Sequence, residues 1–94
     1  MSGSASATLA LKVVTPHRLL VEADVPGVNL PGLDGELGIL PGHRALVAAL
    51  GRGDLTYILE GREETWNIHG GHAEVRPGSV LVFTDLAEDE DDRA

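Results

Sequence analysis

The sequence contains no cysteine among its 94 residues, and this absence excludes several kinds of site. A disulfide framework, a thiolate metal site and a cysteine nucleophile all need a thiol, so the folded chain must be held by packing alone. A domain of this length buries about two-thirds of the surface that its unfolded chain exposes. We therefore expect one domain with one small hydrophobic core.

Positive charge is also scarce, since seven lysines and arginines stand against fifteen acidic residues and the formal net charge is −8. Most of this excess lies in residues 85–94, which hold six acidic side chains and one arginine. A protein that binds nucleic acid usually carries a basic stripe or paired surface aromatics. The sequence has neither, so no nucleic-acid partner is expected.

Long apolar runs and aromatic residues are missing as well. The opening MSGSASA has no positive region, and no later stretch is long enough to span a bilayer, so direct insertion into lipid is not expected. The only aromatic residues are Tyr57, Trp66 and Phe83, and the strand pattern can place all three in the core. The shortage of aromatic residues disfavours one possible function, a β-sandwich module that binds a glycan or small ligand, but leaves it as an alternative.

Apolar and polar side chains alternate with a period of two through LALKVV (residues 9–14) and RLLVEADV (18–25), which is typical of strands. In the first segment Leu9, Leu11 and Val13 share one face; in the second, Leu19, Val21, Ala23 and Val25 do. RALVAAL (44–50) is ambiguous, because alanine and leucine favour a helix. Its short length and the following GRGD favour a strand.

Two hairpins are predicted farther along the chain. The first turns around Glu60–Arg62. The second turns at Pro77-Gly78, where a type II turn joins Ala73–Val75 to Val80–Val82. Val80 and Val82 alternate with Leu81 and Phe83, so both faces of this last strand are apolar: one packs the core, and the other covers a partner or lies under a loop.

Short strands separated by turn signals every 8 to 12 residues or so predict an all-β fold, a flattened sandwich or barrel. We expect a flexible N-terminus at residues 1–7, the β-sandwich domain at 8–87 and an acidic flexible tail at 88–94. The start of a helix is the alternative for the tail.

The sequence offers little for catalysis or for a bound group. The glycines of residues 32–38 lack the helix and the Lys-Ser/Thr of a phosphate loop. His69 and His72 need further ligands to hold zinc, and a solvated strand face beside a glycine bulge accounts for both. Ser79 has no nucleophile motif around it. No catalytic, cofactor or metal site is expected, and a small hydrolase using Ser79 or His69 is the weak alternative.

The stretch GLDGELGILPGH (32–43) admits two interpretations. It forms a wide connecting loop whose glycines take positive φ, or it forms an interaction surface. The second is favoured by its apolar residues, which cannot all be buried in a loop: Leu33, Leu37, Ile39 and Leu40.

Three segments together resemble the epsilon subunit of F-type ATP synthases: VVTPHRLLVEADVPGVNLPGLDGELGILPGHRALVAAL, HGGHAEV and VLVFTDLAE. The resemblance covers about Leu9 to Glu88, and its most specific element is DGELGILPGH. It implies a flattened β-sandwich of about ten short strands that turns with the rotor, bound to the gamma subunit and the c ring. It also implies a non-catalytic subunit, held at the cytoplasmic face of the bacterial inner membrane by protein contacts and not expected to homo-oligomerise.

The resemblance also assigns candidate contact residues. The loop facing the c ring is matched by Asp34, Gly35, Glu36, Leu37 and Gly38. The candidates for the gamma side are Pro41, Gly42, His43 and Val82. Ala45 and His72 depart from the residues common in the family. A C-terminal pair of helices, which inhibits ATP hydrolysis or binds ATP in family members, has no match in this sequence, so we expect the polypeptide to couple and assemble without inhibiting or sensing ATP.

Overall fold

The structure, a computed structural model, describes residues 7–86. These residues form seven strands and no helix, which confirms the all-β prediction. The strands are β1 (Leu9–Val14), β2 (Leu19–Val25), β3 (Val28–Gly32), β4 (Gly35–Ile39), β5 (Leu46–Leu59), β6 (Arg62–Arg76) and β7 (Ser79–Phe83). The predictions for the N-terminus and the acidic tail lie outside the described residues, apart from residue 7.

The strands are hydrogen-bonded in the order β2-β1-β7-β6-β5-β3-β4. The β1–β7 pair is parallel and the other pairs are antiparallel. Seven strands are present rather than about ten because β5 and β6 are unusually long, at 14 and 15 residues. Each of these two strands contributes one half of its length to each of the two layers of the sandwich.

Both long strands turn a corner at glycines. In β5 the buried positions change from even to odd numbers between Leu50 and Leu55, and in β6 they change between Ile68 and Ala73. Since strand side chains alternate between faces, each strand must rotate its buried face at this point. Gly70 and Gly71 allow the turn in β6 with φ of 78° and 108°, which side chains rarely tolerate.

The corner divides the sheet into two layers. The first layer contains β2, β1, β7, the C-terminal half of β6 and the N-terminal half of β5. The second contains the other halves of β6 and β5 together with β3 and β4. The core lies between them, with Leu11 and Val13 from the first layer and Leu55 and Ile68 from the second all completely buried. Each such side chain contributes about 1.5–3 kcal/mol of burial free energy.

The predicted faces of β1 and β2 are confirmed except at Leu19, which is 49% exposed. The pairing register between β1 and β2 shifts between Val13 and Val14, so that Val14 is opposite Leu19. A bulge of this kind leaves one extra residue on one strand and changes the direction of its side chains. Of the two apolar faces of β7, the one with Phe83 is the outer face, and Phe83 is 37% exposed.

Both predicted hairpins form. Glu60 and Gly61 have φ of 53° and 81°, as a two-residue type I′ turn requires. The prediction of a type II turn at Pro77-Gly78 is wrong, because Gly78 does not have the positive φ which that turn needs. The N–H of Gly42 donates a 2.7 Å hydrogen bond to the carbonyl of Pro77. That bond fixes the central peptide of the turn, whose orientation distinguishes type I from type II.

Candidate functional site

The glycine-rich stretch folds into a hairpin rather than a wide loop. β3 and β4 pair from Val28–Ile39 to Gly32–Gly35, leaving Leu33 and Asp34 in the turn. Glu36, Leu37 and Gly38 therefore belong to β4. Because β4 is the last strand of the sheet, the predicted ring-facing residues lie together at one edge of the second layer.

We call Leu33, Asp34, Gly35 and Glu36 the hairpin tip. All four are exposed, and Leu33 is exposed to 68%. Gly35 has a φ of 132°, which lets the chain reverse after the turn. The tip therefore presents two carboxylates and one large apolar side chain to solvent.

The predicted gamma-side residues divide into two groups. Pro41, Gly42 and His43 follow β4, and the Gly42 hydrogen bond to Pro77 places them beside the β6–β7 turn. His43 is half-buried, and its Nδ1 donates to the carbonyl of Arg44 at 2.9 Å. Val82, in contrast, is completely buried. Its prediction as a contact residue is corrected, because its side chain packs in the core.

The outer face of the first layer carries a row of mainly apolar side chains that sequence reasoning did not identify. Directly paired residues place this row across five neighbouring strands. Such residues share one face of a sheet, and five strands span about 19 Å. We call the row the apolar stripe: Leu19, Val14, Phe83, His72 and Ala49.

His72 is the one ionisable residue in the apolar stripe. Its ring stacks on Phe83 with the ring centroids 4.9 Å apart, a geometry typical of aromatic pairs. Its Nε2 lies 3.9 Å from Oε2 of Glu74, with both side chains partly exposed. The stacking keeps the stripe continuous from β7 to β6 despite the polar ring.

The apolar stripe ends at the hairpin tip. The N–H of Leu33 donates a 3.0 Å hydrogen bond to the carbonyl of Ala49, so the tip is attached to the last residue of the stripe. Val47 lies two residues from Ala49 on the same outer face and is 72% exposed. The two surfaces therefore form one continuous exposed area that passes from apolar to acidic.

The described residues offer little chemistry beyond this surface. Within residues 7–86, no three or more histidine or acidic side chains are grouped so that they could hold a metal ion. His69 and His72 lie on opposite sides of the glycine corner. No helix in this part of the chain is long and apolar enough to cross a membrane.

Comparison with known proteins identifies the family. The family model for the ATP synthase delta/epsilon chain beta-sandwich domain matches residues 8–90. The chain belongs to this family. The resemblance in the sequence is thereby confirmed, and the two-layer fold is the family's β-sandwich.

Named relatives agree with this assignment. The ATP synthase epsilon chain of Solibacter usitatus is 46% identical over 81 residues, which cover 86% of this chain and 60% of the relative. The epsilon chain of Lawsonia intracellularis is 44% identical over 81 residues, which cover 86% of this chain and 61% of the relative. The chain thus spans about three-fifths of the length of these curated relatives.

Two solved structures share the fold. A chain in the Euglena gracilis mitochondrial ATP synthase, described as OSCP/F1/c-ring, matches with a TM-score of 0.77 and 30% identity over 83% of this chain and 51% of its own length. A chain in the Tetrahymena thermophila mitochondrial ATP synthase central stalk and c ring matches with a TM-score of 0.68. The match covers 82% of this chain and 63% of the Tetrahymena chain. At 13% identity, this second likeness shows the fold alone.

Proposed function

We propose that this chain is the sandwich domain of an epsilon subunit in the central stalk of an F-type ATP synthase. In this role it is a non-catalytic rotor part that links the gamma subunit to the c ring and supports the coupling of proton translocation to ATP synthesis. It is held at the cytoplasmic face of a bacterial inner membrane by protein contacts. The observation that carries the proposal is the continuous exposed area formed by the apolar stripe and the hairpin tip.

The apolar stripe supports binding to gamma. Its exposed side chains lie on a rigid sheet, and exposed apolar patches on a small protein mark interaction sites. A stable interface buries at least about 1,200 Å² in total, more than the stripe and its flanking residue Val47 can supply alone, so this domain reaches that area only by using gamma and the c ring together. Pro41, Gly42 and His43 lie beside the β6–β7 turn, at the other end of β7 from Phe83, and are a separate candidate contact with gamma.

The hairpin tip supports binding to the c ring. Asp34 and Glu36 are exposed acidic residues at the sheet edge, which suits a basic or polar loop on the partner. Charge complementarity at such a rim fixes the orientation of a complex more than its affinity. Because the tip adjoins the stripe at Leu33, one rigid body can contact both partners and transmit torque between them.

Replacing Phe83 with glutamate tests the gamma contact. The chain and its gamma subunit are co-purified and separated by size exclusion, with Ile58→Glu as the matched control. Ile58 is an apolar strand residue of similar exposure, 44%, but it lies on the outer face of the second layer. We expect Phe83→Glu to abolish co-elution and Ile58→Glu to retain it; equal binding by both variants would contradict the assignment.

Replacing Glu36 with lysine tests the ring contact. Proton-coupled ATP synthesis is measured in the assembled enzyme, with Glu63→Lys as the control, since Glu63 is also an exposed strand glutamate on the second layer. We expect Glu36→Lys to impair synthesis while gamma binding is retained, and Glu63→Lys to leave both unchanged. Normal coupling in Glu36→Lys would remove the ring-facing assignment of the tip.

A further inference from the structure

A cleft opens on the outer face of the first layer, beside the centre of the apolar stripe. It has a volume of about 300 Å³ and lies between the turn that follows β1 and the residues that follow β7. Val14 and Pro16 line one side, and His72, Phe83 and Asp85 line the other. This volume is at the lower limit for a ligand pocket, so the cleft accommodates one side chain rather than a cofactor. We call it the Asp85 cleft.

The stacked rings of His72 and Phe83 form the aromatic wall of the Asp85 cleft. β7 lies between β6 and β1 in the sheet, and the His72 ring on β6 covers one face of the Phe83 ring. The opposite face is therefore directed towards β1, where Val14 is paired with Phe83. An exposed aromatic face attracts a cation through its negative quadrupole.

Asp85 supplies the charge of the cleft. Phe83 and Asp85 are exposed while Thr84 between them is 5% exposed, so both are directed to the same outer side. The two hydroxyl groups in the cleft already have partners within the protein. Oγ1 of Thr84 donates a 2.6 Å hydrogen bond to a backbone carbonyl of the glycine corner, and Oγ1 of Thr15 accepts from two backbone N–H groups of its own turn. Among the described residues that line the cleft, the Asp85 carboxylate is therefore the charged group offered to a partner.

The surroundings of the cleft favour a cation over an anion. Glu74 flanks the aromatic wall from the other side, with its Oε2 3.9 Å from Nε2 of His72. His17 and Arg18 belong to the turn after β1, but neither of them lines the cleft. An aromatic face between two carboxylates is complementary to a positively charged group that is itself flat, because such a group contacts the ring and the carboxylate together.

We propose that the Asp85 cleft receives an arginine side chain of the partner that covers the apolar stripe. A planar guanidinium stacks on the Phe83 ring and donates to the Asp85 carboxylate at the same time, whereas a lysine ammonium presents no flat face. Arginine is also enriched among the residues that contribute most to interfaces. That the partner is the gamma subunit rests on the function proposed above, but the preference of the cleft for a guanidinium is a property of this chain.

Titration of the 94-residue chain with N-acetyl-arginine amide tests the cleft without any partner. Phe83 is the only phenylalanine in the sequence, so its ring proton resonances are identified directly by NMR. We expect a saturable shift of these resonances at millimolar probe and constant pH. N-acetyl-citrulline amide, whose side chain is a neutral urea of the same shape, should give no such shift, and N-acetyl-lysine amide should give a weaker one.

Variants of the chain provide the matched control for this titration. Asp85→Asn should remove the response to the arginine probe. Asp24→Asn should retain it, because Asp24 is an exposed carboxylate opposite Ala10, at the other end of β1 from the cleft. The proposal would be overturned by the absence of a saturable response to the arginine probe, by an equal response to the citrulline or lysine probe, or by an unchanged response in Asp85→Asn.

Gamma binding by the same variants tests whether the cleft is used in the complex. Asp85→Asn should weaken binding about tenfold, the factor that loss of one hydrogen bond to a charged group allows. Asp85→Glu keeps the carboxylate and should restore most of the affinity, and Asp24→Asn should bind as the unchanged chain does. Equal affinities of Asp85→Asn and the unchanged chain would overturn the use of the cleft by gamma. If the unchanged chain does not bind gamma, the proposed function is wrong, and the probe titration still decides what the cleft binds.

Discussion

Replacing Gly71 with alanine should destabilise the fold more than the same change at Gly61 or Gly78. Its φ of 108° is unfavourable for a side chain and costs about 1–3 kcal/mol. The added Cβ also overlaps the carbonyl of Phe83, and relieving that overlap moves backbone at a further cost of about 1–3 kcal/mol. We expect the free energy of unfolding to fall by about 3 kcal/mol or more, which is a large part of the 5–15 kcal/mol typical of a folded domain.

The other two glycines separate these causes. Gly61 has a φ of 81° but open space around its Cα. Gly61→Ala should therefore lower the free energy of unfolding only by the cost of a left-handed backbone for alanine, about 1–2 kcal/mol. Gly78 has open space and no positive φ, so Gly78→Ala should leave stability unchanged or raise it by up to about 1 kcal/mol.

Urea unfolding followed by Trp66 fluorescence measures all three variants. With a slope of about 1.5 kcal/mol per molar, the Gly71→Ala midpoint should fall by about 2 M. A Gly71→Ala midpoint no lower than that of Gly61→Ala would refute the close approach of β6 and β7 at the corner.

Three further predictions concern stability and can be measured by the same unfolding assay. Glu60→Asn should stabilise the chain by about 0.5–1 kcal/mol, because asparagine tolerates the positive φ of this turn better than glutamate; a lower midpoint would contradict the type I′ assignment. Tyr57→Phe removes the acceptor of the 3.2 Å hydrogen bond from Trp66 Nε1 and should cost about 1 kcal/mol, with a change in Trp66 emission as the second readout. Leu11→Ala should cost about 2–5 kcal/mol by opening a cavity, whereas Leu33→Ala, at an exposed position, should change stability by less than about 0.5 kcal/mol; similar losses in both would contradict the assigned core.

Local alternation predicted the core of this fold well. β1 follows its period-two pattern directly, since Leu9, Leu11 and Val13 are all buried. The ambiguous segment 44–50 contributes residues 46–50 to β5, because cross-strand pairing with β6 overrides the helix preference of alanine and leucine. The hairpin at Glu60–Gly61 also follows from the sequence, since its turn residues lie between two alternating runs.

Features that depend on pairing between distant strands could not be read from local patterns. The exposure of Leu19 results from a register shift against β1, and the apolar stripe results from the register of five strands. The apolar residues on both faces of β7 were the one signal for the stripe, but the pattern alone did not decide which face was buried. The prediction that Val82 rather than Phe83 is the surface residue was wrong for this reason.

The hairpin tip shows a related limit. Its glycines suggested a wide loop, but pairing with β3 places Gly35 to Gly38 in a strand at the sheet edge. The family resemblance located the stretch without describing its conformation. Contacts with gamma and the c ring from this stretch are still predictions.

Cross-linking in the assembled enzyme tests the central claim most directly. Because the chain has no native cysteine, single cysteines can be introduced at Ala49 in the apolar stripe, at Glu36 in the hairpin tip and at Ile58 on the second layer, each carrying a photoreactive cross-linker. We expect position 49 to link to gamma, position 36 to link to a c subunit and position 58 to link to neither. Cross-links from position 58 to these partners, with none from positions 49 and 36, would place the docking surface on the opposite layer and contradict the proposed contacts.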